Sequence, residues 1–276
     1  MAMTVNTNTA ANRAMTQLNR AGRALSGSFS RISSGLRISK AADDAAGLGV
    51  AENLKVAAKS AKVASRNTAD GISMIAVAEG ASSEVGNILG RMRELAVQSA
   101  SDTLGDDERA YVQDEFLALS AEVDRISGVT EFNGKALTDG TTATVGVQVG
   151  INATANDQVD ITLGDLSATT LGVDTGAVDL STATGASSAL TVIDDAISLV
   201  SGYRSVYGAA ENRLNSALNN LETFTENTLA AESQIRDADF GYETAEMSKN
   251  QILTQAGTAI LAQAKTVNQG ALQLIQ

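Results

Sequence analysis

Residues 15–36, MTQLNRAGRALSGSFSRISSGL, carry apolar side chains at alternating intervals of three and four. This heptad spacing predicts a helix over about residues 6–38 with one apolar seam. Residues 253–274, LTQAGTAILAQAKTVNQGALQL, repeat the pattern at the other end of the chain. Neither helix has a neighbour in the sequence that could cover its seam, so we expect the ends to pair and to leave apolar surface for other copies. The two seams consist of Met15, Leu18, Gly22, Leu25, Phe29, Ile32 and Leu36, and of Leu253, Gly257, Ile260, Ala264, Val267, Ala271 and Leu274.

The composition favours long, uninterrupted helices. The 276 residues include no Pro, Cys, His or Trp, and aromatic residues make up 3%. About a dozen Pro would be expected at average usage, and their absence removes the obligatory helix kinks. Without His or Cys, most transition-metal sites and nucleophile–base pairs are unavailable. We therefore expect thin, Ala-rich helix seams, no cofactor and no metal.

Charge is unevenly distributed along the chain. The net charge is −12, which argues against nucleic acid as a partner. The first 42 residues contain six cations and no acid, whereas residues 136–203 contain eight acids and no cation. An Arg-rich, acid-poor start also describes an organellar transit peptide, an alternative that the continuing seam disfavours. We expect no cleaved signal peptide and no membrane insertion, because the sequence lacks a compact apolar h-region and any run of about 18 apolar residues.

Two further long helices and a shorter one are predicted between the ends. After a polar joint that Asp43 or Asp44 would cap, apolar residues from Leu54 to Ala96 keep heptad spacing over about residues 45–100. A third helix would be capped by Asp106 or Asp107 and end at Gly128. Its predicted apolar face consists of Val112, Phe116, Leu119, Val123 and Ile126. From about residue 188, positions seven apart from Ile193 to Ile235 predict a helix that can lie antiparallel to the helix over 45–100.

The middle of the chain has a different pattern. Val145, Val147, Val149 and Ile151 alternate with polar residues, and Val159, Ile161 and Leu163 alternate again. This period of two predicts a β-hairpin with one buried face. Residues 164–188 are rich in Gly, Ser, Thr and Ala and are predicted to form a loose connection.

Motifs that could carry enzymatic chemistry have simpler readings. The pair Asp43-Asp44 could act as an acid and a base, but a helix-capping joint accounts for it without a nucleophile or His. Gly47-Leu48-Gly49 is too short for a dinucleotide-binding loop and follows no strand. The sequence therefore predicts that the protein is not an enzyme.

Ordered motifs resemble those of the bacterial flagellins, the subunits of flagellar filaments. The resemblance covers about residues 1–135 and 189–276. The matching motifs are VNTN at 5–8, SSGLRI at 33–38, ADDAAGL at 42–48, RNTADGISM at 66–74, RMRELAVQSA at 91–100, EFNG at 131–134, SQIRDADF at 233–240 and QILTQAGTAILAQA at 251–264. The chain departs from the family at Asn268, where flagellins usually carry Pro, and in its short middle.

The resemblance implies a mainly α fold of long antiparallel coiled-coil helices with paired terminal helices and a small β-hairpin insert. Residues 1–38 with 242–276 would form the inner filament domain, and residues 39–140 with 189–241 the long-helix core domain. Residues 141–188 would replace the large variable outer domains. The implied function is a structural subunit that assembles into an extracellular filament for swimming.

Further partners are also implied by the resemblance. They are an export chaperone of the flagellar type III channel, the cap and hook-associated proteins, and the host flagellin-sensing Toll-like receptor. The receptor patch corresponds to Arg91, Leu95 and Glu115, which would also pack against neighbouring subunits. Arg91 and Leu95 share one helix face, and we expect all three to be exposed in the free monomer.

Two other classes of helical protein remain as alternatives. A chemoreceptor cytoplasmic hairpin is also Ala-rich and long-helical, but it would need a membrane span or a receptor-tip motif. A hook–filament junction protein is possible, although its middle is normally much longer.

Overall fold

A computed structural model describes residues 7–273 and the side chains of residues 7–266. The chain divides into two compact units. Unit 1 takes the described residues up to Val56 and those from Asn227 onward, and unit 2 is Ala57–Glu226. Residues 141–188 lie within unit 2.

Helices dominate the described chain, which confirms the predicted mainly α fold. The helices are α1 (Thr9–Ser34), α2 (Ala45–Ser99), α3 (Asp106–Val129), α4 (Ala168–Leu171), α5 (Ala183–Arg236) and α6 (Phe240–Gln273). The strands are β1 (Glu131–Phe132), β2 (Lys135–Ala136), β3 (Thr144–Gln148) and β4 (Gln158–Thr162). Among these helices, none carries an apolar stretch of the length that a bilayer crossing requires.

Unit 1 is built around α1 and α6, which pack along each other in antiparallel orientation. Asn8 Nδ2 donates to the Ala264 carbonyl at 2.9 Å near one end of the pair. Near the other end, Arg31 Nε lies 2.6 Å from Glu243 Oε1. The predicted pairing of the two ends of the chain is therefore confirmed for the described residues.

The ends of α1 and α6 carry recognisable caps. The Asn8 side chain accepts from the Ala11 amide at 2.9 Å, and Gly35 ends α1 in the left-handed region with φ 72°. At the start of α6, Asp239 Oδ1 accepts from the Gly241 amide at 2.8 Å. Where α1 ends and α6 begins, the Arg37 amide donates to the Arg236 carbonyl at 2.7 Å and the Ala238 amide to the Gly35 carbonyl at 2.9 Å. The two connecting segments of unit 1 are thus tied together by their backbones.

In unit 2, α2 and α5 lie antiparallel along a continuous apolar seam. Arg93 of α2 pairs with Asp194 of α5 at 2.6 Å, and Glu79 of α2 lies 3.6 Å from Arg204. Most residues of the predicted α2 seam are buried. On α5, most of the residues predicted to face the core at intervals of seven are buried as well. The buried members are Ala61, Ala64, Thr68, Ile75, Ala78, Ser82, Val85, Leu89, Met92 and Ala96 of α2, and Ile193, Val200, Tyr207, Leu214 and Leu221 of α5.

Helix α3 confirms its predicted apolar face but not its predicted ends. Val112, Phe116 and Val123 are buried against the core. The cap residue is Gly105, with no side-chain hydrogen bond, so Asp106 and Asp107 lie in the first turn and offset the helix dipole instead. The helix continues past Gly128 to Val129.

Two small antiparallel sheets belong to unit 2. Strands β3 and β4 pair in the predicted hairpin, with Val147 opposite Val159 and Val145 opposite Ile161. A second hairpin, β1–β2, turns at Asn133 (φ 51°) and Gly134 (φ 75°). The Asn-Gly pair in the quoted EFNG motif is the sequence signal for that turn, because both residues adopt positive φ readily.

The prediction of a loose connection over residues 164–188 is wrong. Five apolar side chains of this segment are no more than 5% exposed, and they pack with α2, α3 and α5 in one core cluster. They are Leu166, Leu171, Val173, Val178 and Leu180. Polar groups secure the segment as well: Ser99 Oγ donates to the Leu180 carbonyl at 2.5 Å, and the Ala168 amide donates to Asp124 Oδ1 at 2.7 Å. Helix α5 begins within this segment, at Ala183.

Candidate polymerisation surface

At alternate positions, the seam between α1 and α6 is shifted by one residue from the predicted register. On α1 the partly or fully covered positions include Leu18, Leu25 and Ile32, as predicted, but they alternate with Ala14, Ala21 and Ser28. The alternate predicted positions Met15 and Phe29 are instead 53% and 65% exposed. Small residues in the seam let the two helices approach closely, which the larger neighbours would prevent.

Helix α6 shows the same shift at alternate positions, whereas Gly257 and Ala264 are covered as predicted. The covered positions are Glu243, Met247, Asn250, Thr254, Gly257, Leu261 and Ala264. At Gly257 an added Cβ would lie 3.2 Å from Leu18 Cδ1, which shows how closely the helices pack there. Leu253 and Ile260, predicted to lie in the seam, are 48% and 58% exposed. Leu274 lies outside the described residues, and Val267, Asn268 and Ala271 lie beyond the described side chains.

The shift leaves large apolar side chains on unit 1 that the described residues do not cover. Met15 and Phe29 on α1 and Ile252, Leu253 and Ile260 on α6 each keep about half or more of their area exposed. Beside Leu253 and Ile260, a groove of about 720 Å³ runs between the helices over Ala14, Leu18, Ala21, Ala24 and Gly257. Arg13, Arg20 and Lys249 also line it. Buried apolar area is the main source of association energy, so this surface suits contact with another protein.

A buried ion pair orients α1 against α6. Glu243, which sequence reasoning did not single out, is 5% exposed and bonds Arg31 through Oε1. Its other oxygen, Oε2, is buried without a hydrogen-bond partner among the described residues. A buried carboxylate is costly unless it is paired, so this contact fixes the register of the two helices. The sequence feature that could have indicated this pair is a single acid in the first turn of α6, because α1 contains several Arg and no acid.

The residues of the predicted receptor patch are only partly brought together. Arg91 Nη2 lies 2.8 Å from Glu115 Oε1, and Arg91 Nη1 lies 2.9 Å from Glu94 Oε2. Hydrogen bonds to Glu94 and Glu115 raise the pKa of the Arg91 guanidinium. Leu95, however, is 1% exposed, so the expectation that it faces solvent in the monomer is wrong. It fills the core between α2 and its neighbours, and the exposed apolar residue nearby on α2 is Val97, at 50%.

A metal centre would need several acidic side chains close together. Within the described side chains, no group of three or more acidic residues is placed to hold a metal ion. Long paired helices with uncovered apolar faces are typical of a structural subunit that associates with other protein chains.

Comparison with known proteins identifies the family. The profile of the bacterial flagellin N-terminal helical region matches residues 5–143, and that of the bacterial flagellin C-terminal helical region matches residues 190–275. The chain belongs to the bacterial flagellin family. It is therefore a structural subunit of the flagellar filament and not an enzyme.

Similar proteins cover nearly the whole chain. Flagellin of Halalkalibacterium halodurans is 45% identical over 246 residues, which cover 89% of this chain and 90% of the relative. Flagellin of Bacillus subtilis is 40% identical over 306 residues, covering 99% of this chain and 100% of the relative. The crystal structure of Bacillus cereus flagellin, 31% identical, covers 56% of this chain and 88% of that one with a TM-score of 0.49.

Proposed function

We propose that this chain polymerises through the exposed apolar faces of α1 and α6. The observation that carries the proposal is the set of five large side chains left uncovered by the internal seam: Met15, Phe29, Ile252, Leu253 and Ile260. Full burial of one such side chain contributes about 1.5–3 kcal/mol, so burial of the exposed fractions of all five could contribute about 4–9 kcal/mol per subunit.

The same argument supports the expected division of roles along the chain. Residues 1–38 and 242–276 would form the inner layer, because the described parts of both ranges carry uncovered apolar side chains. Residues 39–140 and 189–241 would form the next layer, where the α2–α5 seam is already satisfied. Residues 141–188 would face outward, since the hairpin turn at 151–156 is exposed.

Assembly of the purified chain tests the proposal directly. Monomer added to sonicated filament seeds should elongate them, with the growth followed by light scattering and electron microscopy. Limited proteolysis should cut about the first 40 and last 40 residues in the monomer and spare them in the polymer. Equal protection of the ends in both states would refute the placement of α1 and α6 at the subunit interface.

We also propose that the α6 surface is held by an export chaperone before assembly and that cap proteins guide the addition of subunits. An exposed apolar stripe such as Ile252, Leu253 and Ile260 would aggregate in the cytoplasm if left uncovered. Export would proceed through the flagellar type III channel without a cleaved signal peptide. Intact-mass measurement of filament subunits tests this, since a loss of the N-terminal segment would contradict it.

Recognition by the flagellin-sensing receptor is a finer proposal that rests on Arg91 and Glu115. Their ion pair is about half exposed on both sides, so a receptor could reach both side chains. Arg91→Ala and Glu115→Ala should weaken the response of cells bearing the receptor to monomer. Val97→Ala should weaken it too if an apolar contact is needed, whereas Leu95→Ala should act only through stability.

A further inference from the structure

The turn between β1 and β2 presents an Asn-Gly pair that occurs nowhere else in the sequence. Asn133 (φ 51°) and Gly134 (φ 75°) are the two central residues of this hairpin, and both are exposed. Within the part of the chain that the structure describes, neither the Asn133 side chain nor the Gly134 amide makes a hydrogen bond. An added Cβ at Gly134 would meet no atom within 4 Å. The side-chain amide and the backbone amide that follows it are therefore both open to solvent.

An exposed Asn-Gly pair can modify itself by deamidation. The Gly134 nitrogen attacks the side-chain carbonyl carbon of Asn133, so a nitrogen–carbon bond forms and the bond to the side-chain NH₂ group breaks. The proton of the attacking amide leaves with that group as ammonia, and the product is a five-membered cyclic imide. Water then opens the ring at either carbonyl and gives aspartate or isoaspartate. Glycine leaves the attacking nitrogen unhindered, because it carries no side chain.

The folded turn keeps the reacting atoms apart. Ring closure requires the Gly134 nitrogen and the Asn133 Cβ to eclipse each other about the Cα–C bond. The observed φ values are those of a type I′ turn, whose first central residue has a ψ of about +30°, and this angle places the two atoms on opposite sides. The hairpin has only two residue pairs, and so short a hairpin opens locally without unfolding of the whole unit. Deamidation therefore proceeds through the open fraction.

We propose that Asn133 is a self-deamidation site whose rate is set by the opening of the β1–β2 hairpin. Conversion to isoaspartate routes the main chain through Cβ and lengthens the two-residue turn by one carbon. Because loop length fixes the register of a hairpin, the pairing of Phe132 with Lys135 cannot re-form as before. The converted fraction would then record the age of each subunit.

The chain that follows the turn connects this change to the core of unit 2. Leu137 is 1% exposed, and its amide donates to the Thr130 carbonyl at 3.0 Å. The next residue, Thr138, is fully buried. Its carbonyl accepts from Ser127 Oγ at 2.6 Å and from the Leu166 amide at 2.8 Å. Loss of the hairpin register should therefore loosen both the end of α3 and the packed segment before α5.

Peptide mapping of the purified full chain tests the site and its dependence on folding. Samples are held at pH 8, either folded or unfolded in urea, in water enriched in ¹⁸O, and the peptide containing Asn133 is followed by mass spectrometry. In urea, Asn133 should convert faster than any other Asn of the chain. In the folded chain it should convert about tenfold more slowly or less, because only the open hairpin reacts. Asn156, which is exposed and precedes Asp157, serves as an internal reference.

Two variants separate the lengthened main chain from the added charge. Asn133→Gly retains a pair suited to a type I′ turn but has no side-chain amide. Asn133→Asp adds the carboxylate without lengthening the main chain. After ageing, the wild-type chain should show amide exchange at Leu137 and Leu166 faster by about tenfold or more. Aged Asn133→Gly and fresh Asn133→Asp should both keep the exchange rates of the fresh wild-type chain.

Each outcome decides one part of the proposal. Slow conversion of Asn133 in urea, no faster than that of Asn156, overturns the site. Equal rates in the folded and unfolded chains overturn the control by hairpin opening. Unchanged exchange at Leu137 and Leu166 in converted chains overturns the connection to the core. If Asn133→Gly does not fold, converted and unconverted wild-type chains, which differ in charge, can be separated by anion exchange and compared directly.

Discussion

Ile260 offers a direct test of whether the uncovered face of α6 is an assembly surface. Its side chain is 58% exposed, so Ile260→Asp should change the free energy of unfolding of the monomer by about 0.5 kcal/mol or less. In the polymer, the change forfeits about 0.9–1.7 kcal/mol of remaining apolar burial. It also adds an unpaired carboxylate whose burial costs about 2 kcal/mol or more. The sum of about 3 kcal/mol raises the critical concentration for elongation roughly a hundredfold.

A neighbouring substitution separates assembly from pairing. Leu261 lies in the covered seam against α1, so Leu261→Asp should disrupt the α1–α6 pair itself and lower helical circular dichroism. Ile260→Asp should keep the monomer spectrum and lose only elongation, and Ile260→Ala should show a smaller loss. Filament growth of Ile260→Asp at the wild-type critical concentration would refute the assignment of this face to assembly.

Four further outcomes follow from unit 1 and unit 2 separately. Burial raises the pKa of the Tyr207 hydroxyl, so the free energy of unfolding should fall as pH rises from about 10 through the folded-state pKa. Urea unfolding at pH 8 and at pH 11 measures this fall, and Tyr207→Phe should remove it. Glu243→Ala leaves Arg31 unpaired and should weaken the α1–α6 pair by about 1–3 kcal/mol, seen as faster amide exchange in α6. Leu171→Ala should destabilise unit 2 by about 2–5 kcal/mol, whereas a loose linker would tolerate it in thermal unfolding. An epitope tag at 152–155 should be tolerated and accessible to antibody on filaments. The same tag at 182–185 should block folding, because the backbone there is tightly packed: an added Cβ at Gly185 would lie 2.3 Å from the Asp179 carbonyl oxygen.

Sequence periodicity predicted the long helices and the hairpin because both have strong local signals. The seam of α2 keeps heptad spacing over many turns, and the alternation at Val147 and Val159 continues through both strands. Such patterns reflect which face of an element is buried, whatever element covers it. The pairing of the two chain ends could be inferred for the same reason.

The register of the terminal seam could not be read from hydrophobicity alone. Helix α1 carries two overlapping heptads one residue apart, and the larger side chains Met15 and Phe29 mark the stronger stripe. The chain buries the weaker stripe of Ala14, Ala21 and Ser28 internally. Hydrophobicity identifies the residues that need cover, but it does not distinguish cover by the same chain from cover by another copy.

The packed segment before α5 was missed because its apolar residues have no regular period. Leu166, Leu171, Val173, Val178 and Leu180 are separated by five, two, five and two residues, which matches neither a helix nor a strand. Their burial depends on contacts with α2 and α3, which lie far away in the sequence. The burial of Leu95 escaped notice for a related reason, since α2 is covered on more than one side.

The distribution of tyrosines gives each unit its own optical reporter. The chain has no Trp and four Tyr, so ultraviolet emission comes from tyrosine alone. Tyr242 is the one tyrosine of unit 1 and is 64% exposed, whereas Tyr207 of unit 2 is fully buried and accepts a hydrogen bond from the Gly164 amide at 2.9 Å. Acrylamide should therefore quench Tyr242 readily and Tyr207 hardly at all. Tyr111 of unit 2 is 73% exposed and would be quenched as well. In a Tyr111→Phe variant, a fall in the quenchable fraction during elongation would report burial around the start of α6 without any added label.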